Sequence, residues 1–177
     1  MQFFNHAELE QKVSVVLGST RSILGSAAAA LANEARQHNS RSSYDVFLSH
    51  STLDAKVVYG LSCVMKDSGF SVYVYWLDDA SEQSEVTPET AQRLRERMKC
   101  CRVLLFATSE NAINSKWMPW ELGYFDGTRG KVAICPISQK STFEGREYLG
   151  LYPIMERDFW IWRNGQPYKR LRTWIDE

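Results

Sequence analysis

Apolar residues along this chain fall into two textures. From about Phe3 to Arg36 they recur at roughly helical spacing, through Val13, Val15, Val16, Ile23, Leu24, Ala27 to Ala30 and Leu31. That spacing predicts helix, with Gly18 and Gly25 as its weak points. The small polar stretch Gln37–Ser43 (QHNSRSS) reads as a linker. Residues 1–42 are therefore set apart as an N-terminal helical extension and linker, and residues 43–177 as one domain. Beyond the linker, short continuous apolar runs alternate with helical spacing. Tyr44–Ser49 (YDVFLS), Phe70–Trp76 (FSVYVYW), Arg102–Ala107 (RVLLFA) and Lys131–Ile137 (KVAICPI) read as strands, with Leu151–Met155 as a short fifth. Helices are expected over Leu53–Asp67, from Thr87 to about Lys99, from about Ser115 to Phe125 with a stop at Gly127, and over Leu171–Asp176. Thr87 and Pro88 mark one start by chemistry, a hydroxyl cap followed by a proline in the first turn. Leu77–Thr87 is polar and acidic and reads as a loop. Near-continuous apolar strands alternating with helices mean a parallel sheet covered on both faces, an α/β doubly wound domain.

Charge and cysteines narrow the function class. Lys plus Arg and Asp plus Glu both number 21, so no net field favours nucleic acid or an anionic membrane. The one basic cluster, Lys169, Arg170 and Arg172, reads as a solvated helix face. Cys63, Cys100, Cys101 and Cys135 form no CxxC pair and no metal-like spacing with His6, His38 or His50, so no metal is expected. They read as small buried hydrophobes in a reducing compartment. No apolar stretch approaches the length that spans a bilayer, and the N-terminus lacks the basic opening of a signal peptide. The expectation is a cytoplasmic protein with no membrane or nucleic-acid partner.

In such a sheet ligands bind at the carboxyl ends of the strands, near the point where strand order reverses. The chain has neither GxGxxG nor GxxxxGK[ST], which argues against a dehydrogenase or a P-loop ATPase, and no GxSxG elbow. What stands out is Ser115-Lys116-Trp117-Met118-Pro119-Trp120-Glu121-Leu122-Gly123. Ser115 can cap the helix, and Pro119 falls in the opening turn, where its missing N–H costs little. Trp117 and Glu121 are four apart and share a helix face. Two readings of that pair stay open at this point. The indole can stack on a flat or cationic ligand group while the carboxylate binds ribose hydroxyls and offsets positive charge at a sugar. Equally, the tryptophan can be core and Glu121 a first-turn acid favoured by the helix dipole.

These residues carry a resemblance. Tyr44-Asp45-Val46-Phe47-Leu48-Ser49-His50, followed by Asp54, resembles the first conserved box of TIR domains. Ser115, Trp117 and Glu121 match the Sx(W)xxxE motif of TIR domains that consume NAD, and Val86 to Gly127 is especially similar to bacterial TIR proteins of antiphage defence. The resemblance spans about Tyr44 to Ile137. It implies a flavodoxin-like fold, a five-stranded parallel sheet with helices on both faces, to which the N-terminal helical extension is added. It also implies cleavage of the nicotinamide–ribose bond of NAD, as hydrolase or cyclase. Glu121 would be the catalytic residue, with Trp117, Ser49, His50, Asp54, Ser115 and Asp78 as substrate contacts. His50 is expected to shape the pocket rather than shuttle protons, and Asp54 to cap the helix that follows it. NAD would be the substrate and no cofactor is implied, since nicotinamide leaves neutral. A departure concerns Leu77–Gln83, acidic where many relatives carry an Arg-Asp and a Gly pair in a loop of head-to-tail contacts. Homo-oligomerisation and a downstream effector of the product are expected partners, and the N-terminal helix is expected to pack on the domain or on a second copy. Two rivals are a non-catalytic TIR adaptor and a nucleoside deoxyribosyltransferase-like enzyme with Glu121 as nucleophile.

Overall fold

Strands form where apolar residues run continuously, because a strand covered on both faces leaves no side for polar groups. In the computed structural model, which describes residues 2–18, 43–75, 87–137 and 147–177, they are β1 (Tyr44–Ser49), β2 (Val72–Val74), β3 (Cys101–Thr108), β4 (Val132–Pro136) and β5 (Ile154–Met155). All five pair in parallel, in the order β2-β1-β3-β4-β5. Two further strands, β6 (Trp160–Trp162) and β7 (Lys169–Arg170), extend the sheet antiparallel beyond β5. Neither was expected. At three and two residues they are too short to show a period.

The helices cover both faces. Along β3, Val103, Leu105 and Ala107 turn to one side and Leu104 and Phe106 to the other, as the period of two requires. The first side meets α2 (Ala55–Asp67) through Val58, Leu61 and Met65, and the C-terminal α5 (Leu171–Asp176) through Leu171 and Ile175. The second side meets α3 (Pro88–Lys99) through Leu94 and Met98, and α4 (Trp117–Arg129) through Met118, Leu122 and Phe125.

Helix ends follow local chemistry. Thr87 caps α3 through its side chain, with Pro88 at the first position. The expected stop of α4 at Gly127 is corrected. The helix runs on to Arg129 and ends at Gly130, which takes the left-handed conformation (φ 67°) that a terminating glycine supplies. Helix α1 (His6–Leu17) is capped by the Asn5 side chain and ends at Gly18 (φ 69°). Residues 19–42 lie outside the described residues. The described part of the extension packs on the domain, burying Leu9 and Val13 against α2. Gly60 makes that approach possible, since a Cβ there would stand 2.3 Å from the Leu9 carbonyl oxygen.

The basic cluster near the C-terminus is solvated as expected, with Lys169 and Arg170 on β7 rather than on a helix and its charges partnered. Arg172 binds Asp45 at 3.0 Å, Lys169 binds Glu177 at 2.7 Å, and the Arg170 guanidinium lies 4.0 Å from the Trp160 ring centroid. Among the described residues no helix is long and apolar enough to cross a membrane.

Candidate active site

Strand β1 lies between β2 and β3, so the chain leaves it first to one side and later to the other. That is the switch point at which doubly wound sheets open a crevice. A cavity of about 240 Å³ sits there. Its wall is made by Leu48 and His50 to Leu53 after β1, by Tyr75 after β2, and by Asn114 to Trp117 and Glu121 at the start of α4.

Glu121 is the buried acid of this cavity, 5% exposed. Its neighbours Met118, Leu122 and Phe125 anchor α4 to the sheet, which fixes where the carboxylate points. Ser49 closes β1 on the same side as Phe47, two residues earlier and packed toward α4. Its hydroxyl donates to Glu121 Oε2 at 2.5 Å. Burial pushes the Glu121 carboxyl up to about 7, against the opposing pull of the Ser49 hydrogen bond. A carboxyl poised there exists in both forms at neutral pH, the behaviour of a functional acid in a cleft.

Trp117 lies one turn before Glu121 and lines the same cavity. Its ring meets Trp120 edge-on at 5.4 Å, and Trp120 stacks on Tyr124 at 5.7 Å. The Trp117 Nε1 finds no hydrogen-bond partner among the described residues. Trp120 is half-buried and packs against the core on this side of the sheet, with the Arg95 guanidinium 5.4 Å from its ring centroid. The Ser115 hydroxyl accepts from the Met118 N–H at 3.3 Å and so caps α4 as expected while lining the cavity.

His50 Nδ1 lies 3.0 Å from the Leu48 carbonyl oxygen, which can only accept, so a neutral ring carries its proton on Nδ1. Burial holds its pKa below the ordinary histidine value. A neutral, backbone-pinned imidazole shapes a wall. Asp54 is different from expectation. Its side chain makes no capping bond to α2; it accepts from Asn111 Nδ2 at 2.6 Å and from the Ser109 hydroxyl, tying the turn after β1 to the turn after β3. Ser51 caps that turn instead. Asp54 and Ser49 both stand behind the cavity wall rather than in it. Asp78 lies outside the described residues.

Sequence reasoning missed Tyr75 and Lys116 as wall residues. Lys116 is the one lysine or arginine lining the cavity among the described residues. Its position inside the Ser115–Glu121 motif was the available signal. Among the described residues no three His, Cys, Asp or Glu side chains gather where they could hold a metal, and all four cysteines are free thiols.

No family profile matches the chain. It is 46% identical over 147 residues to "Probable 3' cyclic ADP-D-ribose synthase ThsB'" of Bacillus cereus (strain MSX-D12), an alignment covering 76% of each protein. It is also 29% identical over 94 residues to "Putative cyclic ADP-D-ribose synthase TIR2" of Cytobacillus dafuensis, which spans 52% of this chain and 24% of that protein.

Proposed function

The chain belongs to the bacterial TIR family of cyclic ADP-D-ribose synthases, and from that premise we propose that it cleaves the nicotinamide–ribose bond of NAD with Glu121 as its catalytic carboxylate. The observation that carries the proposal is the buried Glu121 carboxyl sharing one small cavity with the Trp117 indole at the switch point of the sheet.

The chemistry follows from those two groups. The cationic nicotinamide ring packs against the indole, where the ring quadrupole favours it. Ionised Glu121 takes hydrogen bonds from the ribose hydroxyls beside the reacting carbon. As the C1–N bond lengthens, its electron pair passes to the nicotinamide nitrogen and positive charge grows on the sugar. A carboxylate already in place stabilises that charge more than it stabilises the ground state, which is what lowers the barrier. Nicotinamide leaves neutral and takes no proton. An internal ribose hydroxyl then adds to C1 and loses its proton to solvent, closing a cyclic ADP-ribose. The name of the Bacillus cereus relative, a 3′ cyclic synthase, supports closure over hydrolysis.

The cavity is small beside the roughly 300–1,000 Å³ of ordinary ligand pockets. It encloses the nicotinamide riboside end, and the adenosine half extends past its mouth. Self-association through TIR–TIR contacts supplies the missing wall, and a downstream effector reads the cyclic product in antiphage signalling. The test is direct. Purified protein is incubated with NAD and the products are resolved by mass. Nicotinamide with a product one water lighter than ADP-ribose is the expected pair. Intact NAD under all conditions would favour the adaptor reading, and a trapped ribosyl–Glu121 ester the transferase one.

A further inference from the structure

Ser49 belongs to the first-box sequence expected to touch substrate, yet it is 1% exposed and lies outside the cavity wall. Its hydroxyl is spent on Glu121 Oε2 instead. We infer that Ser49 is a positioning residue that divides the Glu121 carboxylate into an anchored oxygen, Oε2, and a working oxygen, Oε1, left to the substrate ribose. The inference rests on the reading of Glu121 given above.

The geometry has two consequences. A glutamate on a helix has three side-chain torsions to settle, and a hydrogen bond from the end of a buried strand fixes the last of them. β1 pairs with a strand on either side, so its last residue is a rigid donor. The second consequence is protonic. A hydroxyl donated to a carboxylate favours the ionised form, the one that offsets charge on the sugar. Among the described residues the titratable groups around Glu121 are few. After β1 stands His50, held neutral by burial, after β2 Tyr75, and ahead of α4 itself Lys116 at the cavity rim. Helix α3 brings Arg95, which lies over Trp120. On β3 the thiol of Cys101 is at the far end of the strand, and on β4 that of Cys135 faces the opposite layer. Ser49 is the hydrogen-bond partner of the Glu121 carboxylate among the described residues.

The test compares Ser49→Ala and Ser49→Cys with wild type across pH. Loss of the donor moves the acidic limb of kcat/KM upward by about one to two pH units, the shift expected from a hydrogen bond to a charged group. Activity at pH 7 then falls on the order of tenfold, and most of it returns by pH 9. Cysteine, a weaker donor, lies between. KM changes little beside kcat. A second readout needs no turnover. Melting temperature is followed against pH for wild type, Ser49→Ala, Glu121→Gln and the double variant. Wild type loses stability as pH rises through about 7, because the folded pKa of Glu121 lies above its unfolded one. Ser49→Ala moves that loss to higher pH, and in the Glu121→Gln background the Ser49 change leaves the pH dependence untouched. An unmoved midpoint in the melts overturns the inference even if NAD is turned over. A shifted midpoint without any turnover upholds the Ser49–Glu121 coupling and removes the proposed reaction instead. A higher KM at unchanged kcat and pH profile would return Ser49 to the substrate contacts.

Discussion

Glu121 contributes nothing to the packing of α4 that glutamine could not supply, and burial taxes its charge. A rise from the ordinary 4.5 to about 7 is worth on the order of 3 kcal/mol once pH is well above 7. The sign is that of an acid whose folded pKa is raised: the stability is present in full below about 4.5 and lost as pH climbs through 7. Glu121→Gln should therefore match wild type in thermal melts at pH 5 and exceed it at pH 8. The same titration shapes activity. The free enzyme's kcat/KM rises with pH through about 7. Lys116 lines the cavity that the proposed reaction assigns to the nicotinamide riboside end of NAD. Lys116→Gln should raise the KM for NAD several-fold through loss of a pyrophosphate contact, with kcat and melting temperature nearly unchanged. For Trp117→Ala steady-state kinetics should show weakened substrate use. Its melting loss should stay below the roughly 3–5 kcal/mol of a fully buried tryptophan, since the ring is only half-buried. At this scale much was legible. Ser115, Trp117 and Glu121 announce themselves because a helix puts residues four apart on one face. Asp54 did not, because its partners Ser109 and Asn111 are 55 and 57 residues away and only β1–β3 pairing brings them together.

Among the elements, α1 gives the sharpest test of packing. The Gly60 Cα lies so close to the Leu9 carbonyl that a methyl group cannot be placed without moving one helix. Gly60→Ala should cost roughly 1–3 kcal/mol through overpacking, despite alanine's better helix propensity. Limited proteolysis should then cut sooner near residue 18. A melt at or above wild type would mean that α1 does not pack on Gly60. The apolar runs of β1, β3 and β4 were readable because buried parallel strands leave no polar positions. β6 and β7 were hidden by length.

For the whole molecule, the strand order places one crevice beside β1, and the residues singled out for their chemistry meet there although they are 72 positions apart. The alternation of strands and helices foretold that meeting place; its volume and its full set of lining residues needed the packed structure. If a second copy completes the site, activity per molecule should rise with protein concentration across a hundredfold range, with light scattering reporting larger species under NAD. A flat specific activity from a monomer would leave the single-chain cavity sufficient. The central claim, that the Glu121 carboxylate drives NAD cleavage, is tested most directly by nicotinamide release from Glu121→Gln and wild type at pH 8, where wild type is ionised and the variant is folded. The account predicts a loss on the order of a hundredfold or more, with a melting temperature no lower than wild type. Turnover within a few-fold of wild type in that folded variant would contradict it.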